Sequence, residues 1–196
     1  HLKELNPSAF KETPKLRTLI LYCNDIVYLQ ESAFGFVQQP HTLISLASND
    51  ISNLDRHFLK DLSPQIPLHL VLTNNNIKRL DKDIFANHVL SVLELGYNPL
   101  AKVDTDFCSR NCTIERFTFE CEYLDNKSAN FLFEWLKMYE VDFVTGKCPL
   151  HNDTETNIPK PMKCEGSRND YKGTVFPTAC LIVFVHVLKA FCERQF

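Results

Sequence analysis

Four stretches of the chain repeat one pattern: LRTLILYCNDIVYL from Leu16, HTLISLASNDISNL from His41, PLHLVLTNNNIKRL from Pro67 and LSVLELGYNPLAKV from Leu90. All four fit the template LxxLxLxxNxLxxL, in which apolar positions alternate before a fixed asparagine. The asparagines, 25, 26 and 23 residues apart, are Asn24, Asn49, Asn75 and Asn98, and a phenylalanine follows each copy: Phe34, Phe58, Phe85 and Phe107. A period of this length indicates stacked structural repeats.

Each copy predicts the same local structures. The LxL step predicts a short strand whose alternate residues face the core. The asparagine predicts a sharp inward turn, where its amide bonds to backbone groups of neighbouring turns that would otherwise be buried without a partner. We therefore expect the four asparagines to form a ladder and the four phenylalanines to stack as a second apolar column.

The repeat extends weakly in both directions. Phe10, in LKELNPSAF, continues the phenylalanine series backwards, so the chain is expected to open midway through an earlier repeat. TIERFTFECEYL, from Thr113, is a degenerate copy in which Glu122 stands at the asparagine position. The competing interpretation, a set of amphipathic helices, is disfavoured because the polar turn clusters SND, NNN and YNP interrupt the apolar runs.

These copies resemble the extracellular form of the leucine-rich repeat family, and the resemblance covers residues 1–165. It implies an α/β solenoid shaped as a horseshoe, with short parallel strands on the concave face and an irregular convex side. Residues 1–107 would hold the repeats, the first of them truncated. Residues 108–165 would hold the last degenerate repeat and a cysteine-rich C-terminal cap with one helix.

The cap is indicated by a change of composition, since Cys108, Cys112, Cys121, Cys148 and Cys164 lie close together in the chain. The stretches FECEYL, GKCPL and PMKCEG resemble the cysteine-rich cap of leucine-rich ectodomains, with Phe119 where that family has its first cysteine. The resemblance suggests that Cys112 substitutes and pairs with Cys148, leaving Cys121 with Cys164, although spacing does not fix the connectivity and the role of Cys108 stays open.

A helix is predicted from Asn126 to about Tyr139, because Phe131, Leu132, Trp135, Leu136 and Tyr139 recur at steps of three and four residues and form one apolar face. That face is expected to cover the end of the repeat core, and Trp135 is expected to pack there. A zinc site is the competing interpretation of the cysteines, but structural zinc prefers paired short spacings that this chain lacks.

The compartment is predicted from the cysteines and from three N-x-S/T sequons, at Asn111, Asn126 and Asn152. Clustered cysteines and glycosylation sequons together favour an oxidising, secretory route. Cys23 lies outside the cluster and is expected to be a buried free thiol.

The C-terminal part suggests attachment to a membrane. Residues 166–173 are polar and predict a stalk, and residues 174–192 contain the apolar run TVFPTACLIVFVHVL, interrupted by His186 and followed by Lys189. A single-pass anchor and a removed glycolipid-anchor signal are both open, because the apolar run is short for a bilayer core of roughly 30 Å.

Catalysis has no support in the sequence. There is no Gly-rich phosphate loop, G-x-S-x-G, H-E-x-x-H or C-x-x-C motif, so no enzyme activity, cofactor or metal is expected. The net charge of −3 gives no electrostatic basis for a nucleic-acid partner. His41 is predicted at a core-facing position.

Binding is the better hypothesis, and the repeat predicts where it occurs. Strand residues that do not face the core should line the concave face; these are Arg17, Thr18, Ile20, Tyr22, Cys23, Thr42, Leu43, Ser45, Ala47, Ser48, Leu68, His69, Val71, Thr73, Asn74, Ser91, Val92, Glu94, Gly96 and Tyr97. Among them we expect ligand contacts from Arg17, Tyr22, His69, Val71, Glu94 and Tyr97, because large amphipathic groups bury much area with few frozen torsions.

The expected function is that of a cell-surface recognition, adhesion or innate-immune-type receptor that binds a protein ligand. Toll-type receptor ectodomains share the solenoid and a cap opening that FTFECEY retains in part. Two alternatives stay open: a secreted or lipid-anchored module that sequesters a ligand without signalling, and a structural scaffold or inhibitor. A dimer is compatible with each of them, and the ligand is not identified by the sequence.

Overall fold

A computed structural model describes residues 2–146 and Cys148. After a short 3-10 helix at Pro7–Phe10, the chain forms a seven-stranded sheet in which every paired strand is parallel to its neighbour. Its strands are β1 (Thr18–Ile20), β3 (Thr42–Ser45), β5 (Leu68–Val71), β7 (Val89–Leu95), β9 (Thr113–Ile114), β10 (Arg116–Phe119) and β11 (Asp142–Thr145).

The order of the strands in this sheet follows the order of the repeats in the sequence, β1-β3-β5-β7-β10-β11, and β9 also pairs with β7. Between them lie four two-residue strands: β2 (Tyr28–Leu29), β4 (Asn53–Leu54), β6 (Arg79–Leu80) and β8 (Lys102–Val103). These form two separate parallel ladders, β2–β4 and β6–β8, in segments where the sequence predicted irregular structure. One helix, α1 (Asn126–Met138), completes the α/β arrangement.

One side of the main sheet faces the core. Leu19, Ile44, Leu70, Leu93 and Phe117 are aligned by the strand register and are fully buried. The residues between them along each strand are mostly half-buried, which is the period-2 alternation expected of a sheet with one packed face.

A column of phenylalanine rings packs on the far side of the core. Phe34, Phe58, Phe85 and Phe107 are fully buried, and successive ring centroids lie 5.9, 6.1 and 6.3 Å apart in edge-to-face geometry. Each such pair adds about 0.5–1.5 kcal/mol beyond the area that it buries. Phe10 joins the column through Phe36, whose ring centroid is 4.8 Å away.

The helix α1 closes the end of this column. Its N-cap is Asp125, whose Oδ1 accepts the backbone N–H of Ser128 at 2.6 Å; this bond lowers the pKa of the Asp125 carboxyl. Leu132, Trp135 and Leu136 are buried, and the Trp135 ring lies 5.0 Å from that of Phe107. The predicted helix is confirmed, one residue shorter at its C-terminal end.

Asparagine amides join neighbouring turns of the chain. Asn75 Nδ2 donates to the carbonyl oxygens of Leu72 and Thr73 in its own turn and of Leu46 in the preceding turn, at 2.9, 3.3 and 3.0 Å. Its Oδ1 accepts the backbone N–H of Ile51 at 2.9 Å. One buried side chain thus makes four hydrogen bonds that hold two turns in register.

The same bonding pattern recurs at Asn49 and Asn98, which are also buried. Asn24 is half-buried; its Nδ2 donates to Leu21 and Tyr22 within its own turn, and its Oδ1 accepts the backbone N–H of Leu2 at 3.0 Å. The residue before each asparagine has a positive φ of 55–56°, namely Cys23, Ser48, Asn74 and Tyr97.

Two disulfides differ from the pairing that the family resemblance suggested. Cys108 is bonded to Cys112, and Cys121 to Cys148, so the suggested Cys112–Cys148 and Cys121–Cys164 pairs are wrong. Cys108 and Cys112 are four residues apart, and their Cα atoms lie 5.2 Å from each other in the loop that precedes β9. The disulfides indicate an oxidising, extracytoplasmic environment.

Cys23 was expected to be a buried free thiol, and this expectation is wrong. Cys23 is disulfide-bonded and only half-buried. It has a positive φ in the turn before Asn24, so its side chain does not point into the core between the strands.

Neither a metal cluster nor a membrane-spanning helix occurs in the part of the chain that the structure describes. Residues 2–146 and 148 contain no group of three or more His, Cys, Asp or Glu side chains placed to hold a metal ion. No helix within these residues is both long enough and apolar enough to cross a membrane. The predicted stalk at 166–173 and apolar segment at 174–192 lie outside the described residues.

Replacing Asn75 by alanine tests the inter-turn bonds. Asn75→Ala leaves buried backbone groups of two turns without partners, so we expect the free energy of unfolding to fall by about 3 kcal/mol. Asn76→Ala is the matched control, since Asn76 is exposed and should change stability by less than about 0.5 kcal/mol. Urea denaturation measures both variants. Equal losses would contradict a special role for the buried amide.

Tryptic peptide mapping without reduction tests the disulfide pairing. Cleavage after Arg110 and Arg116 separates the cysteines, so peptide 103–110 should remain linked to 111–116. Peptide 117–127 should be linked to a peptide that begins at Cys148. Recovery of 111–116 linked to the Cys148 peptide would contradict the observed pairing.

Candidate binding face

The half-exposed side of the main sheet, here called the sheet face, carries side chains in rows that cross the strands. The central row is defined by the register of the six strands in the path β1-β3-β5-β7-β10-β11 and consists of Ile20, Ser45, Val71, Glu94, Thr118 and Val144. The sequence had placed the first four in this order. The row is mostly apolar or small, with Glu94 as its only charged member.

A second row lies two residues earlier along the strands. Thr18, Leu43, His69 and Val92 are neighbours in it by register. Arg116 and Asp142 continue it at the far edge, where they are register partners. This end of the strands therefore carries the charged side chains of the sheet face.

A histidine–glutamate contact and an ion pair lie at this end of the strands. His69 Nε2 is 3.4 Å from Glu94 Oε1, and Arg116 Nε donates to Asp142 Oδ2 at 2.8 Å. A shallow cavity of about 410 Å³ lies between them, lined by His41, His69, Ser91, Val92, Glu115, Arg116 and Asp142. Both pairs are partly exposed, so they contribute little to stability and are accessible to a partner.

The predicted ligand-contact residues are spread over the face. His69, Val71 and Glu94 are adjacent in the two rows. Tyr22 and Tyr97 are half-buried and follow the ends of β1 and β7, at the asparagine end of the strands. Two strands of the sheet separate β1 from β7. With neighbouring strands about 4.8 Å apart, the two tyrosines are roughly 14 Å from each other.

Arg17 stands apart from the other predicted contact residues. It precedes β1 at the edge of the sheet and is exposed. Its guanidinium donates to Gln39 Oε1 at 3.2 Å. Arg17 is therefore held against the next turn rather than against the His69–Glu94 pair.

Four residues predicted on this face are buried instead: Thr42, Leu68, Thr73 and Gly96. Thr42 and Leu68 face the core, because in their copies the first core position lies seven residues before the asparagine, not eight as at Leu16 and Leu90. The register accordingly shifts between β5 and β7, where Leu68 pairs with Leu90 but His69 pairs with Val92. Thr42 satisfies its hydroxyl by donating to the Gln39 and Leu16 carbonyl oxygens.

The same shift explains why the prediction for His41 is wrong. His41 is exposed, has a φ of 56° and donates its backbone N–H to the Pro67 carbonyl at 2.7 Å. The core position that the template assigned to it is taken by Thr42. His41 instead lines the cavity at the charged end of the sheet face.

Arg116 and Asp142 were missed by sequence reasoning. Arg116 lies in the degenerate copy TIERFTF, where the template could have placed it beside Val92. Asp142 follows α1 and belongs to no repeat copy, so only the pairing of β11 with β10 shows its position.

Two of the three glycosylation sequons lie within the described residues. Asn111, in the loop closed by Cys108 and Cys112, is exposed, and so is Asn126 at the start of α1. Asn152 lies outside the described residues. Neither exposed asparagine belongs to the rows of the sheet face.

Comparison with known proteins adds no assignment. No protein-family model matches the chain. No curated protein matches it significantly.

Alanine substitutions at two consecutive strand residues test the register shift. Leu68→Ala should lower the free energy of unfolding by about 3 kcal/mol, because the side chain is fully buried and leaves a cavity. His69→Ala should change it by less than about 0.5 kcal/mol, because it removes only a partly exposed contact with Glu94. Thermal or urea unfolding compares the two variants. A small loss of unfolding free energy for Leu68→Ala would indicate that Leu68 lies on the sheet face and not in the core.

Proposed function

We propose that the chain is an extracellular leucine-rich repeat protein that binds a protein ligand through its sheet face. In this proposal the repeats form a horseshoe-shaped solenoid, and the sheet face is its concave surface. The protein would belong with the recognition, adhesion or innate-immune-type receptors of cell surfaces. The observation that carries the proposal is the central row across six strands, whose side chains are mainly small or apolar and, apart from the buried Thr118, half-buried.

The asparagine bonds and the phenylalanine column support the solenoid. Asn49, Asn75 and Asn98 repeat the same four-bond arrangement, and each phenylalanine ring contacts the next. Repeats that contact mainly their neighbours are the organisation of solenoid proteins. The helix α1, packed on Phe107 and followed by the Cys121–Cys148 bond, supports a C-terminal cap.

The chemistry of the sheet face supports a protein ligand. Ile20, Val71 and Val144 supply apolar area that would be removed from water, and the tyrosines at the asparagine end can bury large rings while keeping a hydroxyl for hydrogen bonding. The His69–Glu94 and Arg116–Asp142 pairs lie at one end only. A centre of mainly small and apolar side chains, in which Glu94 is the one charged group, with further charges at its margin, matches the anatomy of protein interfaces, where charges set orientation more than affinity.

The disulfides support an extracellular location, and the finer location is part of the proposal. A cell-surface receptor would be held by the segment 174–192, as a single-pass or lipid anchor, and would carry glycans at Asn111 and Asn126. The alternative is a secreted or lipid-anchored module that sequesters its ligand without signalling. Fractionation of cells that produce the chain separates these forms: a receptor stays with membranes after carbonate extraction, and a secreted module appears in the medium.

Cross-linking of the chain to surface and secreted proteins of its source cells tests the sheet face. We expect the chain to recover a saturable partner whose cross-links map to the sheet face. Val71→Arg places a charge in the middle of the central row and should weaken that binding at least about tenfold, because a buried unpaired charge is costly. The double variant Tyr22→Ala and Tyr97→Ala should weaken it as well.

Ser52→Arg is the matched control, because Ser52 is exposed between β3 and β4 and lies outside the sheet face. It adds the same charge and should leave binding unchanged. Unfolding curves establish that each variant is folded. If a saturable partner binds Val71→Arg and Ser52→Arg equally well, the sheet face is not the binding surface and the proposal fails.

A further inference from the structure

A second cavity, of about 360 Å³, lies outside the sheet face. It is formed by three successive connections: the one from β4 to β5, the one from β6 to β7, and the one from β8 to β9, which contributes Arg110. The Asn87 backbone N–H donates to the Arg110 carbonyl at 2.9 Å and fixes these last two connections side by side. A volume in this range suits a small molecule or a single sugar unit.

The cavity is lined by basic side chains. Arg56, His57 and Lys60 come from the first connection, His88 from the second and Arg110 from the third. Lys60 is bonded to Glu31 at 2.5 Å, which raises the Lys60 pKa. The Arg56 and Arg110 guanidinium groups make no ion pair or side-chain hydrogen bond with the part of the chain that the structure describes.

Asp83 is the one acidic residue of the lining, and its carboxylate already has a hydrogen-bond partner. Its carboxylate accepts a short hydrogen bond from the Ser109 hydroxyl. This bond, followed by the charges of Lys82, Arg110 and Arg56, lowers the Asp83 pKa. Asp83 therefore stays ionised over the neutral and mildly acidic range, and two guanidinium groups in its vicinity still exceed its single charge.

His88 lines this cavity and carries a buried ring nitrogen that has no hydrogen-bond partner among the described residues. Its Nδ1 lies 2.7 Å from the Ala86 carbonyl oxygen, and because a carbonyl only accepts, Nδ1 carries a proton. The other ring nitrogen, Nε2, is buried and has no hydrogen-bond partner among the described residues. A buried polar atom without a hydrogen-bond partner is unfavourable. In a basic cavity, the oxyanion of a ligand would accept a hydrogen bond from Nε2 when Nε2 is protonated.

We propose that this cavity binds a small ligand bearing a sulfate or phosphate monoester, with the oxyanion held between Arg56, Arg110 and the Nε2–H of His88. The volume beyond the oxyanion accommodates the group that carries the ester, such as one sugar ring. This site is independent of the proposed sheet-face function, because none of its lining residues belongs to that face.

The proposal predicts a pH dependence with a definite sign. The oxyanion binds the form of His88 that is protonated on both nitrogens, so affinity should rise as the pH falls. The other ionisable groups that line the cavity around His88 are Arg56, His57, Lys60, Asp83 and Arg110. A sulfate ester keeps one charge throughout, whereas a phosphate ester takes up a proton near pH 6.

Titration calorimetry of the 196-residue chain with glucose 6-sulfate, glucose 6-phosphate and glucose tests the site. We expect saturable binding of at least one ester and no binding of glucose. Arg110→Gln should weaken ester binding about tenfold or more, as for the loss of one charge-assisted hydrogen bond. Arg79→Gln is the matched control: Arg79 is exposed, lies on β6 outside the cavity, and should leave affinity within about twofold. The ester that binds more tightly shows whether the site prefers a sulfate or a phosphate group.

His88→Asn preserves a donor for the Ala86 carbonyl and removes Nε2, so it should abolish most of the pH dependence of glucose 6-sulfate binding, whereas His57→Gln should retain it. In the unmodified chain, NMR should show the His88 ring shifting with the ester while the His69 ring does not. The proposal is overturned if neither ester binds saturably, if glucose binds as tightly, if Arg79→Gln loses as much affinity as Arg110→Gln, or if the His88 ring is unmoved.

Discussion

The buried asparagine amide is the interaction on which the rest of the structure depends. A chain that turns sharply between a strand and the next segment leaves carbonyl oxygens and N–H groups inside, where water cannot reach them. The amide of Asn75 satisfies groups in its own turn and in the turn before it. It therefore ties the closure of each turn to the position of its neighbour, and β1, β3, β5 and β7 lie parallel in chain order with no α-helix between them.

This arrangement also accounts for an unfavourable backbone conformation in each turn. Cys23, Ser48, Asn74 and Tyr97 all have a positive φ of 55–56°, although only asparagine tolerates this region well. The conformation costs about 1 kcal/mol for an ordinary residue. The positive φ persists because the asparagine that follows can make its hydrogen bonds only when the chain reverses direction at this residue. These bonds hold the turn to its own backbone and to the neighbouring turn.

Much of the fold was accessible from the sequence, because its signals are periodic. The asparagine positions, the buried phenylalanines, the order of Ile20, Ser45, Val71 and Glu94, and the helix from Asn126 all follow from spacing. The errors at His41, Thr42 and Leu68 share one cause: a template fixed on the asparagine does not register a one-residue change between the first core position and the turn. The pairing of Cys121 with Cys148 and the position of Asp142 depend on contacts across the cap, which no local pattern encodes.

Because the strands are stacked in parallel, neighbouring side chains in a row of the sheet face have a fixed spacing. Neighbouring side chains of the central row are separated by the distance between strands, about 4.8 Å, rather than by a distance along a strand. A helix lying across the strands, with a turn every 5.4 Å, departs from this spacing by about 0.6 Å per strand, or about 3 Å over all six strands. An extended segment presents side chains on one side about every 6.7 Å, so these side chains no longer match the positions of the strands by the third strand. The spacing of the strands thus matches a helical segment better than an extended one, whatever side chains the sheet face carries.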